Sequence, residues 1–128
     1  MDDVDWFTEL ENRDTEGLVD SELRDPLENR ALDALAQIYV RWPKAYQIMP
    51  KKALSKRALI SIVCETLFAI LRNCTNEGHI REDDGVYGFT LAAELQSAVI
   101  EFRKSDIEIL SSYGNGNRAY GSFFRGGI

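Results

Sequence analysis

The segment SKRALISIVCETLFAILRN, residues 55–73, decides the fold. Ser55 is a natural N-cap. After it come Ala58, Leu59, Ile60, Ile62, Val63, Cys64, Leu67, Phe68, Ala69, Ile70 and Leu71. At about 100° per residue these side chains surround most of a helix, the pattern of a helix enclosed by others. The most apolar window, 58–71, contains Glu65 and falls short of the roughly 20 residues that a spanning helix needs. The expectation is a central core helix over about 56–73.

Upstream, Asp25-Pro26-Leu27-Glu28 combines a carboxylate N-cap, proline at the first helical position and an acid three residues past the cap. Leu27, Ala31, Ala34, Leu35, Ile38 and Trp42 follow as one stripe, widened by Leu32 and Tyr39, and Pro43 ends the helix near Trp42. Residues 43–54 read as a connector. Downstream, Ile80, Asp83-Asp84-Gly85 and Val86-Tyr87 suggest a loop or small β-hairpin over 76–89. Thr90 then caps a helix from Leu91 to about Lys104, and either Asp106 caps a short continuation from Ile107 to Tyr113 or the helix runs on. Five glycines between 114 and 128 argue against regular structure there. The expected fold is therefore mostly α: a compact bundle of three to five helices around the central one. Residues 1–24 form an acidic N-terminal arm, either packed onto the protein's own body or folding into a partner's groove, 25–113 the helical core domain and 114–128 a Gly/aromatic C-terminal tail.

A length of 128 residues with 45% apolar and 28% charged residues fits one globular core. The net charge of −6 is an average of unlike segments. Residues 1–34 hold twelve acids and three bases, residues 35–57 six bases and no acid, and residues 58–128 nine acids and six bases.

The residue inventory works against catalysis. His79 is the only histidine, and no nucleophile lies in a G-x-S-x-G setting. Cys74 and His79 have no mechanistic spacing, and Gly114-Asn115-Gly116 follows a helix rather than opening one. Residues 73–84 place Asn73, Thr75, Glu77, Gly78 and Asp84 in a calcium-loop register, but Asp84 stands where a bidentate glutamate belongs and Gly85 follows it. Two cysteines and one histidine cannot complete a structural zinc site without carboxylates. The expectation is no enzyme activity, no cofactor, no metal and no small-molecule substrate. The acidic start, Met1-Asp2-Asp3-Val4-Asp5, lacks a secretory pattern, and two cysteines are too few for a disulfide framework. A reducing, cytoplasmic or otherwise intracellular setting without a membrane partner follows as expectation.

Two functions remain. The first is a protein–protein interaction, regulatory or assembly factor, its partner a foreign protein or another copy of itself. Its anchors would be Trp6, Phe7 and Leu10 on one face of an arm helix, and Tyr120, Phe123 and Phe124 in the tail. Size, acidity and aromatic termini suit a viral or phage accessory protein. The alternative is nucleic-acid binding through Arg41, Lys44, Lys51, Lys52, Lys56 and Arg57, with Trp42 and Tyr46 as stacking platforms and Arg118 and Arg125 in the aromatic tail. An overall pI near 4.8 weighs against that alternative.

Overall fold

The computed structural model describes residues 1–76 and 84–114, with side chains described outside 75–90. The described residues form six α-helices and no strand: α1 (Trp6–Arg13), α2 (Arg24–Arg41), α3 (Pro43–Ile48), α4 (Ala53–Asn76), α5 (Asp84–Ser97) and α6 (Lys104–Ser111). The fold is mostly α. No helix among the described residues is long and apolar enough to cross a membrane.

Helix α4 is the apolar segment of the sequence, extended at both ends. From Ala58 to Arg72 every residue is buried or half-buried, and Leu59, Val63, Cys64, Leu67 and Leu71 are fully enclosed. Its start differs from expectation. Ser55 is not the N-cap: the helix begins at Ala53, and the Ser55 hydroxyl donates instead to the Met49 carbonyl at 2.6 Å. That bond ties the helix to the preceding 3-10 turn, Met49–Lys51.

Helix α2 starts one residue before Asp25. Asp20 accepts the Glu22 N–H at 2.9 Å and nucleates a 3-10 turn, Ser21–Leu23, that runs directly into the helix. Asp25 and Pro26 therefore lie in the first turn of α2 rather than at its cap. The helix ends at Arg41, but the expected connector is largely helical. Pro43, with no N–H to satisfy, opens α3 at the first position, where proline is tolerated. Leu32 and Tyr39, expected to widen the buried stripe, are exposed.

The second half of the expected hairpin is overturned. The helical backbone of α5 covers 84–97, including Gly85 and Gly88, so Val86-Tyr87 is not a strand and Thr90 is not a cap. A glycine costs about 1 kcal/mol in a helix interior, too little to break one held by other means. Residues 77–83 lie outside the described residues. Helix α5 stops at Ser97, whose hydroxyl captures the Ala93 carbonyl at 3.1 Å, and Arg30 donates to the Ala98 carbonyl beyond it. Asp106 lies inside α6, buried and paired with Arg103 at 2.9 and 3.0 Å.

The chain divides into two compact units. Unit 1 comprises Met1–Ala34 and Val63–Glu101, and unit 2 comprises Leu35–Ile62 and Phe102–Ile128. Residues 1–24 belong to the first unit. Asp5 caps α1 by accepting the Thr8 N–H, a bond that holds its carboxyl below the usual range. Trp6, Phe7 and Leu10 on the inner face of α1 are buried, and the Arg24 guanidinium lies over the Phe7 ring at 4.3 Å. The chain leaves α1 by wrapping around Asp14, which accepts the N–H groups of Glu16, Leu18 and Val19 at 3.2, 3.0 and 2.8 Å. Gly17, with φ +72°, supplies the left-handed residue in that loop.

Candidate functional site

In unit 2 the buried side is built around Trp42. The indole is 6% exposed, meets Phe102 edge-to-face at 5.6 Å and donates its Nε1–H to the Ser111 hydroxyl at 3.2 Å. Arg41 lies over the indole at 4.4 Å. Trp42 is thus a core residue and not a stacking platform. Tyr46 is half-buried, with its ring against Tyr39 at 5.2 Å and 78°.

The opposite character appears along 39–57. Arg41, Lys44, Lys51, Lys52 and Arg57 are exposed, and Lys56 is half-buried. Interleaved with them are exposed apolar side chains: Tyr39, Val40 at 73%, Ile48 and Leu54 at 82%. Within seven residues, Ile48 and Leu54 bracket Lys51 and Lys52, held in register by the Ser55–Met49 bond. The described residues of unit 2 carry eight bases and two acids; of those acids Asp106 is buried and committed to Arg103, which leaves Glu108 as the exposed one.

Unit 1 has the reverse balance. Its described residues carry sixteen acids and four bases. Each of the four bases pairs within the unit: Arg13 with Glu9, Arg24 with Glu28 at 3.4 Å, Arg30 with Asp33 at 2.9 Å and Arg72 with Glu16 at 3.1 Å. Its exposed carboxylates include Asp2, Asp3, Glu11, Glu22, Asp25 and Asp33, whereas Asp14, Glu65 and Glu94 are half-buried. On α2 the spacing of Asp25, Asn29, Leu32 and Asp33 puts an exposed leucine among acids on one stripe.

Unit 1 also contains an open cleft of about 350 Å³, whose walls include Ile70, Asn73, Cys74, Glu94 and Glu101. Among the described residues no group of three or more His, Cys, Asp or Glu is arranged to hold a metal ion. Asn73 and Thr75 of the calcium-loop register are helical, part of α4, and its positions 77–83 lie outside the described residues. Cys64 is enclosed in α4, and burial pushes its thiol up to about 12.

The expected anchors divide into two groups. Trp6, Phe7 and Leu10 are spent on the interior of unit 1 and present no accessible surface, because α1 turns its apolar face inward. Tyr120, Phe123 and Phe124 lie outside the described residues, as do Arg118 and Arg125. Of the basic set, five side chains are exposed as expected and Lys56 is partly covered. Sequence reasoning missed Val40, Ile48 and Leu54. The available signal was Leu54 in the first turn of α4 with Lys51-Lys52 before it and Lys56-Arg57 after it. No protein-family profile, curated protein or solved structure matches this chain.

Proposed function

We propose that this chain is a non-enzymatic protein-interaction and assembly factor whose docking surface is the basic, apolar face of unit 2. The observation that carries this reading is the mixture itself. Exposed Val40, Ile48 and Leu54 alternate along the chain with exposed Arg41, Lys44, Lys51, Lys52 and Arg57. An apolar centre inside a charged rim is how protein interfaces are built, the centre supplying affinity and the rim supplying specificity and rate. The sign of the rim selects an acidic protein surface. A regulatory role, through occupation of this face by one partner at a time, belongs to the same reading.

Nucleic-acid binding is the second reading, favoured by a run without any acid from residue 35 to 62. It ranks below the first because phosphates give Leu54 and Val40 nothing to bury against, and the burial of Trp42 removes the best stacking ring. The discriminating experiment uses nuclease-treated host lysate with wild-type protein and with the variant Lys52→Glu/Leu54→Glu, followed by mass spectrometry. Partners lost only with the variant support the reading. Capture that is indifferent to the variant, or that vanishes on nuclease treatment while the wild type binds mixed oligonucleotides steeply with salt, defeats it.

A further inference from the structure

Neither unit can neutralise itself. In unit 1 all four described bases are already paired with its own carboxylates, and twelve acids remain in excess. In unit 2 six bases remain in excess. The two surfaces also match in kind. On the basic side Ile48 and Leu54 sit among Lys44, Lys51, Lys52 and Arg57. On the acidic side Leu32, 53% exposed, shares α2 with Asp25, Glu28 and Asp33; Glu28 is bridged to Arg24 and Asp33 to Arg30, which leaves Asp25 as the carboxylate outside those bridges.

We infer that the acidic surface recognised by unit 2 is the α2 stripe of a second copy of this chain. The inference rests on the interaction reading above and names its partner. Leu32 of one copy packs against Leu54 and Ile48 of the next, while Asp25 meets Lys51 or Lys52. The two faces of such a contact differ, so it is heterologous: each copy keeps one face of each kind, and the contact propagates until it closes into a ring or runs on as a filament. Burying exposed aliphatic surface holds the copies together, and complementary rims set the order of faces. A chain with a net charge of −6 repels itself at long range, so association depends on these local faces.

The test is complementation by mass. Wild-type protein is measured by light scattering over a concentration series at about 50 mM and about 500 mM salt, the latter with a screening length below about 5 Å. The expected result is a mass above the 14.5 kDa chain that rises with concentration at low salt, with association roughly tenfold weaker at high salt. Lys52→Glu/Leu54→Glu loses the basic face and Asp25→Lys/Leu32→Lys the acidic one. Each is expected to be monomeric alone at low salt, yet a mixture regains a mass of two chains and no more, because each variant keeps only the face that the other lacks. All four positions are exposed, and circular dichroism checks that both variants stay helical. Leu32→Ala and Leu54→Ala, which leave every charge in place, are expected to weaken association without moving the thermal midpoint. A wild type that stays monomeric at low salt, or a mixture that stays monomeric, overturns the inference. If face-dependent capture from lysate persists in that case, the interaction reading stands with a foreign acidic protein as the partner. Binding of the monomer to oligonucleotides or anionic vesicles in place of itself overturns it equally.

Discussion

Replacing Trp42 by phenylalanine separates a core role from a ligand-stacking role in one variant. The indole donates to Ser111 Oγ at 3.2 Å, contacts Phe102 edge-on at 5.6 Å and carries Arg41 on its face at 4.4 Å. Phenylalanine keeps a ring for Phe102 and Arg41 but loses the hydrogen bond, a net loss of about 1 kcal/mol. It also removes the outer part of a buried bicycle, and each lost methylene-sized group costs about 0.8 kcal/mol or more where the site cannot collapse. The Ser111 hydroxyl lies at an exposed residue and turns to water, so no buried orphan adds to the loss. The expected destabilisation is about 2–3 kcal/mol, at the upper end of the usual range for point changes. That corresponds to a fall of roughly 6–12 °C in Tm for a chain of this size. Differential scanning calorimetry, with urea unfolding as the independent measure, gives both numbers. Trp6 is buried too, so a Trp6→Phe background isolates the fluorescence of residue 42, which should be blue-shifted and poorly quenched by acrylamide. A loss below about 0.5 kcal/mol together with weakened oligonucleotide binding refutes the placement and restores Trp42 as a stacking surface.

Two further outcomes follow from the buried thiol and the Asp14 loop. Cys64, with its thiol pushed up to about 12 by burial in α4, should resist iodoacetamide at pH 8 in the folded protein and react at once in urea; fast labelling of that residue by peptide mapping without denaturant contradicts its enclosure. Burial works against ionised Asp14, but the N–H groups of Val19, Leu18 and Glu16 outweigh it and hold its carboxyl below the ordinary 3.8. A lowered folded pKa contributes stability that is present above 3.8 and lost as the pH falls through the folded value. Asp14→Ala should therefore lower Tm at pH 7 and flatten the acid side of the stability curve below about pH 4, whereas an acid limb as steep as that of the wild type rules out this contribution.

The apolar core was legible because it rests on periodicity. The run 58–71 has so few polar positions that only an enclosed helix accommodates it, and α4 is enclosed over that whole stretch. Element ends were less legible, because they turn on competitions between near-equal hydrogen bonds. Ser55 had two uses for its hydroxyl, capping its own helix or reaching back to Met49, and the second prevailed. Ser97 and Arg30 together stop α5 by capturing carbonyls, and Arg30 lies 68 residues away from Ala98 in the chain. No local pattern around residue 97 contains that information. The failed anchors teach the same lesson from the other side. A helix with Trp6, Phe7 and Leu10 on one face is amphipathic whether that face meets a partner or its own domain, and periodicity does not distinguish the two.

Charge was the more informative pattern, and its boundaries show why. The acid-rich N-terminal stretch ends at Asp33, one residue before unit 1 gives way to unit 2, and the acid-free run extends to Cys64, two residues past Ile62, the last residue before α4 enters unit 1 again. The change of sign therefore falls inside two continuous helices, α2 and α4, close to the residues where each passes from one unit to the other. Helix formation does not require this; α2 and α4 would form with charges distributed evenly along them. Nor does burial require it, since the charged side chains concerned are largely exposed, apart from half-buried residues such as Arg30 and Lys56. Like charges concentrated on one unit cost self-repulsion that an even distribution avoids. On the reading proposed above, this pattern is one that a partner surface uses. Two faces of opposite sign, each with exposed leucine at its centre, are what an ordered contact between copies would use.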